Sequence, residues 1–215
     1  MKQERALKTR ETILRAAAEV FDEFGYTGTT ISKIMSRSGV TQGGMYFHFK
    51  SKEALAHAVM ASQQDFVELP SGPDGLQRLI DITFHIAHEL TNNVLFRASV
   101  RLAVEQGELG IEVDTAYQEW VEQFHLQLVA ARRNGELRAD VDVREFATVL
   151  VGAYTGTQIF SNAATHRRDL PERIVVLWRY FLPALTSAKT RACLRVGPGV
   201  GPGVAVGAAG SAATP

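Results

Sequence analysis

Residues 41–52 read TQGGMYFHFKSK, and their side chains are an unusual set for a helix. Gln42 and Tyr46 stand four apart and share one helix face. A glutamine amide can pair bidentately with adenine, while Tyr46 and His48 can donate to phosphate oxygens. Lys50 and Lys52 flank Ser51, which caps the next helix, and a helix N-terminus beside lysines attracts anions. Gly43 and Gly44 each cost about 1 kcal/mol relative to alanine in a helix interior. Close backbone approach of a bulky partner accounts for such residues, because a side chain there would collide. Only Val40, Met45 and Phe49 look committed to packing. The chemistry that fits is contact with double-stranded DNA.

The elements that must hold this run are short. Thr29 or Thr30 N-caps a helix with Ile31, Ile34 and Met35 inward, and Ser38-Gly39 ends it. Thr41 caps a second helix that reaches Phe47. Two helices about a glycine turn form a helix-turn-helix, whose second helix enters the major groove. The expected DNA contacts are Thr30, Thr41, Gln42, Gly43, Gly44, Tyr46, His48 and Lys52. A preceding helix runs from Lys8 or Thr9 to Phe24, with Ile13, Ala17, Phe21 and Phe24 inward and Gly25 as its stop. Its Lys8 and Arg10 can touch phosphates; Arg15 belongs to the solvated face.

The formal net charge is zero over 215 residues, but unevenly so. Residues 1–60 hold nine Lys/Arg against six Asp/Glu, and the rest fourteen against seventeen. A basic head on an acidic body suits nucleic acid at one end. Cys193 is the sole cysteine, which excludes an intrachain disulfide and a cysteine metal site. Neither a basic-then-apolar leader nor a run of apolar residues long enough to span a membrane is present, so a soluble, cytoplasmic chain is expected. His85, His88 and Glu89 in HIAHEL do not match the HExxH zinc spacing, and nucleophile elbows and phosphate loops are lacking. No enzyme activity, metal or cofactor is expected.

Beyond the head the pattern is helical throughout, giving an all-α fold. A fourth helix runs from Lys52 to about Val67, with Leu55, Val59 and Met60 inward. Pro70, Gly72 and Pro73 break the chain. Helices follow over 74–91, 94–106 and 117–133, the second with Val94, Phe96, Val100 and Val104 inward and the third with Trp120, Val121, Phe124, Leu126, Leu128 and Val129. Residues 107–114 read as a loop, and Asn134-Gly135 as a stop. A helix over 143–165 is apolar nearly all round, with small residues Gly152, Ala153, Thr155 and Gly156 where another helix can approach. Pro171 opens a last helix ending near Ser187. These two helices are candidates for a homodimer interface of the four-helix type, with completion of the monomer core as the alternative. The expected domains are a DNA-binding head over 1–52, a ligand-binding and dimerisation domain over 53–187, and a disordered Gly/Ala-rich tail over 188–215.

The stretch GVTQGGMYFHFKSKEAL resembles the DNA-binding signature of TetR-type bacterial repressors. It departs from them at Gln42, where lysine is frequent, and at Gly44, where a larger residue is frequent. KQERALKTRETILRAAAEVFDEFGY at the start, RASVRLAVEQ at 97–106, Trp120 and YTGTQIFS at 154–161 resemble the gamma-butyrolactone autoregulator receptors. These are a branch of TetR-type repressors from antibiotic-producing actinomycetes, and the likeness covers roughly residues 3–187. It implies a TetR-like fold and a homodimeric repressor of antibiotic genes. It further implies release from the operator by a small lipophilic lactone or butenolide bound at Trp120. A pocket of that kind needs apolar walls and a few polar groups. Gln64, Gln123 and Thr155, with Gln63 and Thr157, are the polar candidates. Phe84, Phe96, Val100 and Phe124, with Phe66, are the lining candidates, and core packing accounts for each equally well. A drug-responsive repressor and a pseudo-receptor that answers to an antibiotic are the alternatives.

Overall fold

A computed structural model describes residues 2–62, 69–105 and 115–198. The described residues contain helices and no strand. Packing divides the chain into two compact units, residues 1–68 with 86–123 and residues 69–85 with 124–215.

The first unit opens on α1 (Lys2–Gly28), followed by α2 (Ile31–Ser38), α3 (Gln42–His48) and α4 (Lys52–Ala61). It also holds the end of α5 (Leu76–Asn92), all of α6 (Val94–Val104) and the start of α7 (Thr115–Arg133). α1 packs on α2, α4 and α6, and α4 packs on α6. Ile13, Ala17, Val20 and Phe21 of α1 meet Ile34, Met45, Leu55, Val59, Ala98 and Leu102 in one core. α1 begins several residues before Lys8 and is broken at Gly25, which takes a left-handed φ of 69°. Phe24 does not join the core stripe: it is 39% exposed, and the Lys33 ammonium lies 3.9 Å from its ring centre. A cation over the ring face compensates part of that exposure.

The second unit holds the start of α5, the rest of α7, α8 (Val143–Thr165), α9 (Leu170–Leu185) and the short α10 (Ala188–Arg191). A polar thread runs through its core. Trp178 Nε1 donates to Thr83 Oγ1 at 2.9 Å, and the Tyr154 hydroxyl donates to the Thr83 carbonyl at 3.0 Å. All three residues are buried, so the thread meets the demand of each buried polar atom for a partner. The α5 N-terminus is satisfied by side chains: Leu76 N–H donates to Glu136 Oε2 at 2.8 Å and Gly75 N–H to Gln127 Oε1 at 3.2 Å. α8 spans the expected residues, but Val149, Ile159 and Phe160 are exposed rather than enclosed. Val104 and Leu126 are likewise exposed and not interior.

Candidate nucleic-acid interface

The corner between α2 and α3 is built from local hydrogen bonds. Thr30 Oγ1 accepts the Lys33 N–H at 3.2 Å, and Thr41 Oγ1 accepts the Gly44 N–H at 3.3 Å. Thr29 does something else: buried, its hydroxyl donates to the Gly25 carbonyl at 2.6 Å. Gly39 takes φ 68° and caps α2 by donating its N–H to Met35 O at 2.9 Å. Met45 and Phe49 then bolt α3 into the head core. Gln42, Gly43, Tyr46 and Phe47 are left facing solvent, and His48 is half-buried.

The two glycines of α3 have different reasons. A Cβ on Gly44 would lie 2.8 Å from Val40 Cγ1 of the preceding turn, so a larger residue there must push Val40 aside. A Cβ on Gly43 meets nothing within 4 Å, so nothing in the chain itself asks for that glycine.

Lys52 is engaged within the head. Its ammonium donates to the carbonyls of Tyr26 and Thr29 at 3.1 and 3.2 Å, and lies 4.1 Å from the Tyr26 ring centre. The Tyr26 carbonyl also accepts the Thr29 N–H at 3.2 Å, so Lys52 adds its bonds to the turn that leads from α1 into α2. Arg37 is held by Glu23 at 2.8 Å and Glu19 at 3.4 Å, and the Lys50 ammonium donates to Tyr46 O at 3.2 Å. Arg10 lies over the Phe49 ring at 5.1 Å.

Sequence reasoning missed Tyr26 as a hub. Its N–H donates to Glu105 Oε2 at 2.7 Å and its hydroxyl to Glu53 Oε1 at 2.9 Å. Arg101 adds a bond to the Asp22 carbonyl at 2.5 Å, and Arg97 pairs with Asp22 at 2.8 Å. The bonds of Glu105, Arg101 and Arg97 tie α6, and that of Glu53 ties α4, to the broken end of α1, which leads into α2. Phe47 was missed too, although counting 100° per residue from Met45 already turns it away from the core.

The candidate ligand residues fall in both units. Trp120 and Val100 are half-buried, Phe96 is fully buried and Gln123 is exposed in the first. Phe84 and Thr155 are half-buried and Phe124 is buried in the second. Gln63, Gln64 and Phe66 lie outside the described residues. No group of three or more His, Cys, Asp or Glu able to hold a metal occurs among the described residues.

A capped helical corner with one solvent-facing arc of polar, aromatic and glycine residues defines a helix-turn-helix protein. Residues 13–59 match the bacterial regulatory proteins of the tetR family, and residues 74–187 match the tetracyclin repressor-like C-terminal domain. The chain belongs to the tetR family of bacterial regulatory proteins, which are DNA-binding transcriptional regulators. Among relatives, the A-factor receptor protein of Streptomyces griseus is 37% identical over 86% of this chain, which spans 66% of that protein's length. The solved structure of TylP, a TetR regulator from Streptomyces fradiae, is 42% identical. The match covers 92% of this chain and 88% of that one, with a TM-score of 0.72. A gamma-butyrolactone receptor described as ArpA-like is 32% identical, covers 88% of this chain and 94% of its own, and gives a TM-score of 0.73.

Proposed function

We propose that this chain is a homodimeric repressor that leaves its operator when a small lipophilic gamma-butyrolactone or butenolide binds it. The exposed arc of Gln42, Gly43, Tyr46 and Phe47, on a helix whose other side is locked into the head core, carries the DNA half of this reading. The names of the A-factor receptor and the gamma-butyrolactone receptor support the ligand half. Genes of antibiotic production are the expected targets, and the bacterial cytoplasm the expected location.

Thr30, Thr41, Gln42, Tyr46 and His48 contact the duplex, with Gly43 admitting it closely. Two copies pair through α8 and α9, where Val149, Ile159, Phe160, Val176 and Tyr180 are exposed in one chain. A dimer brings two reading helices to half-sites about one DNA turn, ~34 Å, or a small multiple apart. Trp120 serves as the rigid wall of the ligand site and offers one N–H donor. Ligand displaces α6 and α4, and the bonds from Glu105 and Lys52 to Tyr26 carry that displacement to the start of α2.

A mobility-shift assay tests both halves, using a duplex that the protein enriches from a random-sequence pool. Synthetic gamma-butyrolactones with alkyl side chains should release the wild-type complex. Trp120→Ala should bind the duplex normally and resist release. Release of Trp120→Ala at wild-type ligand concentrations would remove Trp120 from the site.

A further inference from the structure

Phe47 is 74% exposed in the middle of the reading helix, yet a buried phenylalanine stabilises a protein far more than an exposed one. Its ring stands edge-on to that of His48, with centres 5.0 Å apart at 87°. Around α3 the exposed residues follow the angular order Gln42, Tyr46, Gly43, Phe47 over an arc of about 140°. Gly43 therefore falls between the two aromatic residues, and the space above it is open. Polar base edges suit Gln42 and Tyr46. A phenyl ring has no hydrogen-bond donor or acceptor with which to read them. The one apolar feature of the major groove is the C5-methyl group of thymine, and phenylalanine is among the side chains that contact it.

Resting on the DNA-binding reading above, we infer that Phe47 is a specificity-determining residue that packs on a thymine methyl group beside the gap at Gly43. It distinguishes thymine from cytosine, which lacks the methyl and presents an amino donor instead. Tyr46 and Gln42 set the polar part of the preference, and Phe47 sets the apolar part.

Deoxyuridine, which is thymidine without that methyl, tests this directly. A duplex enriched by the wild-type protein from a random pool is remade with deoxyuridine at one thymidine at a time. At one or more positions per half-site the wild type should lose about fourfold in affinity, the scale of one buried methyl-sized group. Phe47→Ala should bind more weakly overall and show no further loss at those positions, while Phe47→Leu should retain part of the dependence. Because Phe47 lies outside the core, circular dichroism of the variant should match the wild type. Equal deoxyuridine losses in wild type and Phe47→Ala, or none in either, would overturn the inference and leave DNA binding intact. Failure to enrich any duplex would overturn both.

Discussion

Glu105 at the end of α6 accepts the backbone N–H of Tyr26 at 2.7 Å, across 79 residues of sequence. Gly25, with its φ of 69°, breaks α1 just before that N–H. A Cβ on Gly25 would lie 2.8 Å from both Glu105 carboxylate oxygens, so a side chain there must push the carboxylate aside. Glu105→Ala leaves a part-buried N–H without its partner, at a cost of about 1–3 kcal/mol. Gly25→Ala should cost at least as much, since it adds a left-handed φ to the collision. Denaturant unfolding of both variants checks this. Stability within ~0.5 kcal/mol of wild type would remove the bond from any account of how the head is held.

Gly43 and Gly44 should part company on replacement by alanine. Gly43→Ala meets no atom in the chain and should gain about 1 kcal/mol of helix stability while binding the operator more weakly. Gly44→Ala must displace Val40, and its melting temperature should fall below that of Gly43→Ala. Thermal melts and operator titrations of the pair decide. A Gly43→Ala protein that is more stable and binds as well as wild type would mean that no backbone approach occurs there.

The apolar face of α8 and α9 should be covered by a second copy. A groove of about 660 Å³ runs along it past Gly156, Phe160, Val176 and Tyr180, and Tyr180 is 75% exposed. Phe160→Glu places a charge in that contact and should turn the dimer into monomer in sedimentation velocity at micromolar concentration. A variant that remains dimeric would place the contact elsewhere.

Alkaline pH should loosen the head through Tyr26. Burial first, then the bond to Glu53 and the charge of that carboxylate, push Tyr26 from 10.0 up to about 12. The folded state thus holds the phenolic proton more tightly than the unfolded state. Its contribution is complete below pH 10 and is lost as pH rises through about 12. The stability gap between wild type and Tyr26→Phe should be widest near pH 9 and close towards pH 12. A gap independent of pH would show that the hydroxyl bond contributes nothing.

Local features were largely legible in the chain. Thr30 and Thr41 act as caps, Gly39 and Gly135 take left-handed backbone, and α8 has its expected ends. Such signals depend on a few neighbouring residues. Partners distant in sequence were not legible: the Lys52 ammonium serves the end of α1, and Glu105 serves Tyr26. Periodicity also assigns a face without saying whether another chain covers it, so the all-round apolar pattern of α8 did not separate exposed Phe160 from the core. The Val40 methyl that crowds Gly44 was not legible either.

The claim that one chain both reads DNA and answers to a small lactone is tested most directly by measuring both affinities in each other's presence. Intrinsic fluorescence gives the affinity of a gamma-butyrolactone for the free and the DNA-bound protein. Fluorescence anisotropy of a labelled duplex gives DNA affinity with and without the lactone. The two factors must be equal by linkage, and about 5- to 150-fold is expected for a working switch. Tight binding of both partners with neither affinity altered would contradict the coupling.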